Sequence, residues 1–307
     1  MKHSRRARRS RTQKKQLVPM LLGIALLVVT LLSIFLIFLK QPSKQQSDSK
    51  ASTVVTTTRS SVMTSESSEV QTEIIWEQQI EPIKLPILMY HAIHVMAPEE
   101  EANANLIVDP TTFESHLKAL QDAGYYTLSP EEAYKVLTEN VLPAGKKVVW
   151  LTFDDSLWDF YSYAYPLLKQ YQMKATNNVI TGFTEYGQAG HLTLDQIKEM
   201  QTAGLSFQGH TVNHPDLEYS SIEDQTNELT SSKAYLDSQL NQETIAIAYP
   251  GGRYSADTVA LTEQAGYKLG LTTNNGLASL ADGLLSLNRV RILPTTTGDG
   301  LISEISH

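Results

Sequence analysis

The sequence predicts an α/β fold of parallel βα units across residues 83–307. Three observations carry that reading. Strand-like apolar runs alternate with helical patterns along the whole stretch, as in a parallel sheet whose crossovers are helices. Ala123-Gly124-Tyr125, Ala203-Gly204-Leu205 and Ala265-Gly266-Tyr267 each close a helical pattern with Gly and open a strand-like run, which is helix C-cap chemistry reused at each αβ junction. Lys147 to Phe153 reads Lys-Val-Val-Trp-Leu-Thr-Phe, a run without polar alternation, as expected of a strand covered on both faces. Periodicity alone leaves open whether the sheet closes into a barrel.

The chain before this domain has a different character. Residues 1–16 hold eight Lys or Arg and no acid, and residues 17–39 follow without a charge. A helix of that length spans about 34 Å, enough for a hydrocarbon core of ~30 Å. The basic arm predicts a cytoplasmic N-terminus, and therefore a single-pass cell-membrane protein with its remainder outside. Residues 40–82 are read as a disordered linker, since 15 Ser or Thr fall within 41–73 and such a composition buries too little to fold. Without residues 1–16, the basic count falls to 25 − 8 = 17 against 33 acids, or −16. That balance excludes nucleic acid as a partner and leaves neutral polymers acceptable. No cysteine is present, so the core alone must hold the domain, and no obligate protein partner is implied.

Within the domain, the first strand is Leu85-Pro86-Ile87-Leu88-Met89-Tyr90-His91. Asp109-Pro110 starts a helix carrying Phe113, Leu117 and Leu120 at helical spacing, and Ser129-Pro130-Glu131-Glu132 opens the next with a capping box. The central strand is followed by an aromatic helix over 157–171 and a strand over 174–180. Thr193 and Gln196 begin a further helix, and the pattern continues through a helix at 222–240, a strand at 244–249, a helix at 256–264 and strands at 267–273 and 287–292.

Two motifs carry chemistry. The central strand ends in Asp154-Asp155, at the strand end where parallel α/β folds place their sites. Adjacent strand residues point to opposite sides, so the two acids divide the work; the bland alternative is a helix N-cap. The second motif is His210-Thr211-Val212-Asn213-His214. Two imidazoles four apart on one face of a helical turn can share a metal ion, and one carboxylate added to them makes a three-ligand site with positions open for water and substrate.

Thr152-Phe153-Asp154-Asp155 followed by His210-Thr211-x-x-His214 resembles the first two motifs of the polysaccharide deacetylases with a NodB-homology domain, carbohydrate esterase family 4. The resemblance implies an irregular (β/α) barrel with fewer than eight units. It implies Asp154 as general base, and Asp155, His210 and His214 as ligands of one divalent ion, usually zinc (Zn2+). The expected reaction is hydrolysis of N-acetyl groups on an amino-sugar polysaccharide, poly-N-acetylglucosamine or a peptidoglycan glycan. Tyr249-Pro250-Gly251 resembles a third motif that lines the substrate and stabilises the oxyanion. An amine leaves only when protonated. Leu88-Met89-Tyr90-His91 resembles a permuted branch, seen in poly-N-acetylglucosamine deacetylases, in which the acid His comes first, here His91.

The chain departs from the family pattern at several points. Ser156 follows Asp-Asp where Gly is usual, Gly209 stands where Ser is common, no Arg precedes Pro250, and the Asp-Trp motif is missing. Arg253, Arg289 and Arg291 are candidates for the cation that orients Asp154. His94 and His191 are read as loop residues away from the site, and Trp158, Tyr161 and Tyr165 as core rather than sugar platforms. The competing functions are a glycosidase, whose acids need ~5–9 Å between them, a catalytically silent cell-wall glycan-binding protein, and a deacetylase of O-acetyl esters.

Overall fold

The structure, a computed structural model, describes residues 74–306. The basic arm, the apolar span 17–39 and the linker up to residue 73 lie outside the described residues. Among the described residues no helix is long and apolar enough to cross a membrane. The strands in chain order are β1 (Trp76–Gln78), β2 (Ile87–Tyr90), β3 (Ala92–Ile93), β4 (Ile107–Val108), β5 (Tyr125–Thr127), β6 (Val141–Pro143), β7 (Lys147–Phe153), β8 (Thr176–Val179), β9 (Ser206–Gly209), β10 (Ala246–Ala248), β11 (Leu269–Asn275) and β12 (Leu287–Arg291).

Seven of them, β2, β7, β8, β9, β10, β11 and β12, are each hydrogen-bonded to the next, and β12 returns to β2. All seven pairings are parallel. The sheet is therefore a closed barrel with fewer than eight strands. β5 adds to the outside of β7, also in parallel. β1 lies within the stretch read as linker, where it pairs antiparallel with β6 and Trp76 packs against the core.

Side-chain parity explains the layering. Ile87 and Trp150 face each other across β2 and β7, and pack with Val148, Ala246, Ala248, Leu269, Leu271 and Leu287 inside the barrel. The two alanines leave room for Trp150, which is fully buried and donates Nε1–H to Thr176 Oγ1 at 2.8 Å. The alternate residues Leu88, Val149, Leu151 and Phe153 face outward onto Phe113, Leu117 and Leu120 of helix α1 (Pro110–Asp122). Continuing the parity up β7 and β2 turns Asp154 and His91 inward at the barrel mouth.

The expected caps form: Ser129 Oγ accepts from Glu132 N–H while Glu132 Oε2 accepts from Ser129 N–H, at 3.2 and 2.7 Å. Thr193 and Gln196 make the same reciprocal pair. The single helix expected over 157–171 is instead a π-turn at Phe160–Ala164 followed by an α-helix at Tyr165–Gln170, and the Tyr165 N–H reaches back to Phe160 O. Pro166 explains the change, since it has no N–H to continue the α pattern. A last helix, Gly298–Ile305, was not expected, because two glycines in its first turn depress helix propensity. One of them is needed: a Cβ on Gly298 would lie 2.9 Å from Ser115 O in α1.

Candidate active site

The rim at the strand C-termini gathers Asp154 and Asp155 after β7, His91 after β2, His210 after β9 and Tyr249 after β10. Asp155 Oδ1 lies 3.2 Å from His210 Nε2 and 3.5 Å from His214 Nε2. One donor atom from each of the three residues falls within 4.8 Å of the others. His210 Nδ1–H donates to Ala248 O at 2.7 Å, and that bond fixes the tautomer leaving Nε2 as the free lone pair. Two imidazole nitrogens and one carboxylate oxygen converging on a common point fit a zinc-type divalent ion with open positions.

The two histidines do not meet on a helical turn, as their spacing suggested. Residues 210–214 form an irregular turn with Thr211 at φ 66° and His214 at φ 57°. Glu228 holds the turn in shape: its carboxylate accepts from Val212 N–H, Asn213 N–H and Asn213 Nδ2–H at 2.7, 2.9 and 2.7 Å. Thr211 Oγ1 accepts from His214 N–H at 3.0 Å. Asp155 and Ser156 are also left-handed, at φ 73° and 49°. Four non-glycine residues in this region, each costing of order 1 kcal/mol or more, concentrate backbone strain where the donors converge. The left-handed backbone at Ser156 also explains why Gly is usual there.

Asp154 is buried, and Arg289, fully buried, grips it with Nη1 on Oδ1 at 2.9 Å and Nη2 on Oδ2 at 2.7 Å. Asn178 Nδ2–H adds a third bond to Oδ1 at 2.7 Å. Arg289 is anchored behind by Nε–H to Thr272 O at 2.7 Å. Burial alone would push the Asp154 pKa up, but the guanidinium outweighs it and holds the carboxyl well below the usual range. Arg253 does not meet Asp154; it pairs with Asp216. Arg291 makes no ion pair within the described residues, and its backbone N–H donates to Asn275 Oδ1.

His91 is half-buried. Its burial lowers the imidazole pKa, against an upward pull from the nearby Asp154 and Asp155 carboxylates. His94 faces elsewhere, with Nδ1 2.5 Å from Asp159 Oδ2 and Nε2 3.1 Å from Glu100. His191 is closer to the site than its loop position suggested, since its Nδ1–H donates to the Asp155 carbonyl at 3.0 Å. Trp158, expected in the core, is 44% exposed, whereas Tyr161 and Tyr165 pack against it.

Of Tyr249, Pro250 and Gly251, Tyr249 N–H donates to Leu271 O at 3.0 Å and Pro250 has none, which leaves Gly251 as the available backbone donor. Gly251 adopts φ 59° and lines a pocket of about 270 Å³ with His214, Pro215, Asp216, Pro250 and Arg253. Gly209 stands where Ser was expected because a Cβ there would lie 2.9 Å from the Tyr267 hydroxyl.

Residues 141–270 match the polysaccharide deacetylase family. A putative polysaccharide deacetylase, YxkH of Bacillus subtilis (strain 168), is 37% identical over 223 residues, covering 73% of this chain and 76% of its own length. The chain belongs to the polysaccharide deacetylase family. Among solved structures, the Streptococcus pyogenes deacetylase PplD in complex with acetate shares 62% identity and superposes with a TM-score of 0.72, over 74% of this chain and all of that one. A poly-beta-1,6-N-acetyl-D-glucosamine N-deacetylase of Staphylococcus aureus (strain N315) is 38% identical over 115 residues, 35% of this chain and 38% of that one. The matched stretch 141–270 contains Asp154, Asp155, His210 and His214 of the rim described above.

Proposed function

We propose that this polysaccharide deacetylase is a metal-dependent hydrolase that removes N-acetyl groups from an amino-sugar polymer, poly-N-acetylglucosamine or a peptidoglycan glycan. The observation that carries the reading is the three-donor cluster of Asp155, His210 and His214 beside an Asp154 clamped by Arg289. When bound there, a divalent ion, zinc in this reading, supplies Lewis acidity to the acetyl carbonyl and acidifies the attacking water.

Asp154 accepts the water proton, and Arg289 and Asn178 fix the direction in which its oxygens face. The same clamp weakens Asp154 as a base, because a carboxyl held so low binds a proton poorly. A carboxylate takes a proton only from water that has been acidified, which a divalent ion held by Asp155, His210 and His214 would do. The Gly251 N–H donates to the oxyanion that develops on the acetyl oxygen. His91 gives a proton to the nitrogen as the C–N bond breaks, so that acetate and a free amine leave. An ester would not need that acid, and the inward His91 favours the amide.

The basic arm and the uncharged span 17–39 support a single-pass anchor with the domain outside the cell, where such glycans lie. The test is acetate release by the full-length chain from β-1,6- and β-1,4-linked N-acetylglucosamine oligomers and from peptidoglycan, before and after exhaustive chelation. Release from none of the three with zinc restored would overturn the function; release unaffected by chelation would overturn its metal dependence.

A further inference from the structure

Trp158 is a large aromatic residue left 44% exposed, although indoles are usually well covered. Its exposure is organised. One face stacks on the His94 ring, with centroids 6.0 Å apart and planes at 25°, and its edge meets Tyr163 at 5.9 Å. Its backbone N–H donates to Gly190 O at 3.0 Å. The backing ring is itself locked at both nitrogens, by Asp159 at 2.5 Å and by Glu100 at 3.1 Å. Asp159 also accepts from Ile93 N–H at 3.0 Å, so the end of β3 and the loop after β7 are tied together behind the indole.

His91 immediately precedes β3, and the Asp154-Asp155 pair opens the loop after β7. Trp158 is three residues beyond Asp155 and His94 three beyond His91, which limits each separation to about 11 Å along the chain. An indole anchored within that distance of the rim is in reach of a sugar next to the one whose N-acetyl group occupies it. A pyranose with equatorial substituents presents a C–H face that packs on an indole, and a ring already held on one face and at its edge loses little entropy when it does so.

We propose that Trp158, backed by His94, is a stacking platform for a pyranose unit next to the one being deacetylated, and that it selects glycan polymers over single sugars. The proposal rests on the deacetylase reading and adds the part of the site that recognises chain length.

The experiment uses the full-length zinc-loaded chain, with N-acetylglucosamine and its β-1,4-linked tetramer as probes. Of the three tryptophans, Trp150 is fully buried and Trp76 lies against the core, so quenching by the tetramer reports on Trp158. The tetramer should quench, the single sugar should not, and Trp158→Phe should abolish the signal. Trp158→Ala should raise KM for the tetramer about 3- to 10-fold with kcat and zinc content held, and Trp158→Tyr should restore most of the loss. Acetate release from the tetramer without quenching, or with an unchanged KM in Trp158→Ala, overturns the platform and leaves the deacetylase reading standing. Quenching without acetate release supports the platform and counts against deacetylation of this glycan; neither signal overturns both for it.

Discussion

Arg289 holds Asp154 through both terminal guanidinium nitrogens, at 2.9 and 2.7 Å, across 135 positions of sequence. Both side chains are buried, so neither charge has water to fall back on. Removing the cation alone strands a buried carboxylate, a loss of about 3–5 kcal/mol. Arg289→Met should therefore lower the denaturation midpoint sharply and abolish turnover. In an Asp154→Asn background the same change should be much milder, because no charge is left unpaired. Equal losses in the two backgrounds, by chemical denaturation, would mean that the pair does not act as a unit.

Base and ligand are separable by metal content. Asp154→Asn should stop acetate release yet retain zinc, since its oxygens are taken by Arg289 and Asn178. Asp155→Asn and His214→Ala should each reduce bound zinc at fixed free metal, because each deletes a donor. Elemental analysis after equilibrium dialysis reads this directly. Equal zinc loss in Asp154→Asn and Asp155→Asn would mean that the roles are wrongly divided.

Much of this site was legible in the residues, and what was not has physical causes. Strand ends are visible where an apolar run stops, so Asp154, Asp155 and His91 stood out. Barrel closure was not visible, because the pairing of β12 with β2 is a long-range contact that periodicity cannot encode. Choosing among Arg253, Arg289 and Arg291 needed the depth of each residue along β12, since Arg289 and Arg291 share its parity, and the position of Asp216. The turn that joins His210 to His214 was misread as helical because its conformation is imposed by Glu228, a residue of the distant helix Ile222–Leu240. Trp158 looked like core because aromatic spacing in a helix normally means burial, and the π-turn after it changes that spacing.

The His94 anchor should depend on pH. Burial pulls the His94 pKa down, but hydrogen bonds from the ring to Asp159 and Glu100 outweigh it, and the net shift is upward. A raised folded-state value means that the anchor is complete below the unfolded His value, about 6.5, and is lost as pH rises through the folded one. Asp159 is shifted upward by burial, which His94 only partly offsets, so its ionisation also weighs against the folded state as pH rises. The segment Pro98–Leu106, tied to His94 through Glu100, should lose hydrogen-exchange protection above about pH 6.5, once intrinsic rates are divided out. His94→Gln should flatten that dependence. Protection that increases with pH in the native chain would refute the anchor.

The acid role of His91 has the most specific consequences. Tyr90 beside it is tied away from the mouth, stacked on Phe153 at 5.0 Å with its hydroxyl on His116 Nδ1 at 3.1 Å. Parity then turns His91 inward, among Asp154, Asp155, Arg289 and His210, whose charges act on it. His94 is committed at both nitrogens to Asp159 and Glu100, and His191 is turned onto the Asp155 carbonyl through Nδ1 with its Nε2 beside Gln188 Nε2 at 3.5 Å, so His91 is the imidazole that strand parity turns into the mouth. His91→Ala should reduce kcat about 10²- to 10⁴-fold, the usual worth of a positioned acid, while zinc content stays at the native level. The loss should be largest for an amide and small for an activated acetyl ester, whose leaving group departs without a proton. Comparing kcat on the tetramer and on 4-nitrophenyl acetate separates a lost acid from a damaged site. A parallel loss on both substrates would assign His91 to structure, and a kcat defect confined to His94→Ala would move the acid three residues along the loop.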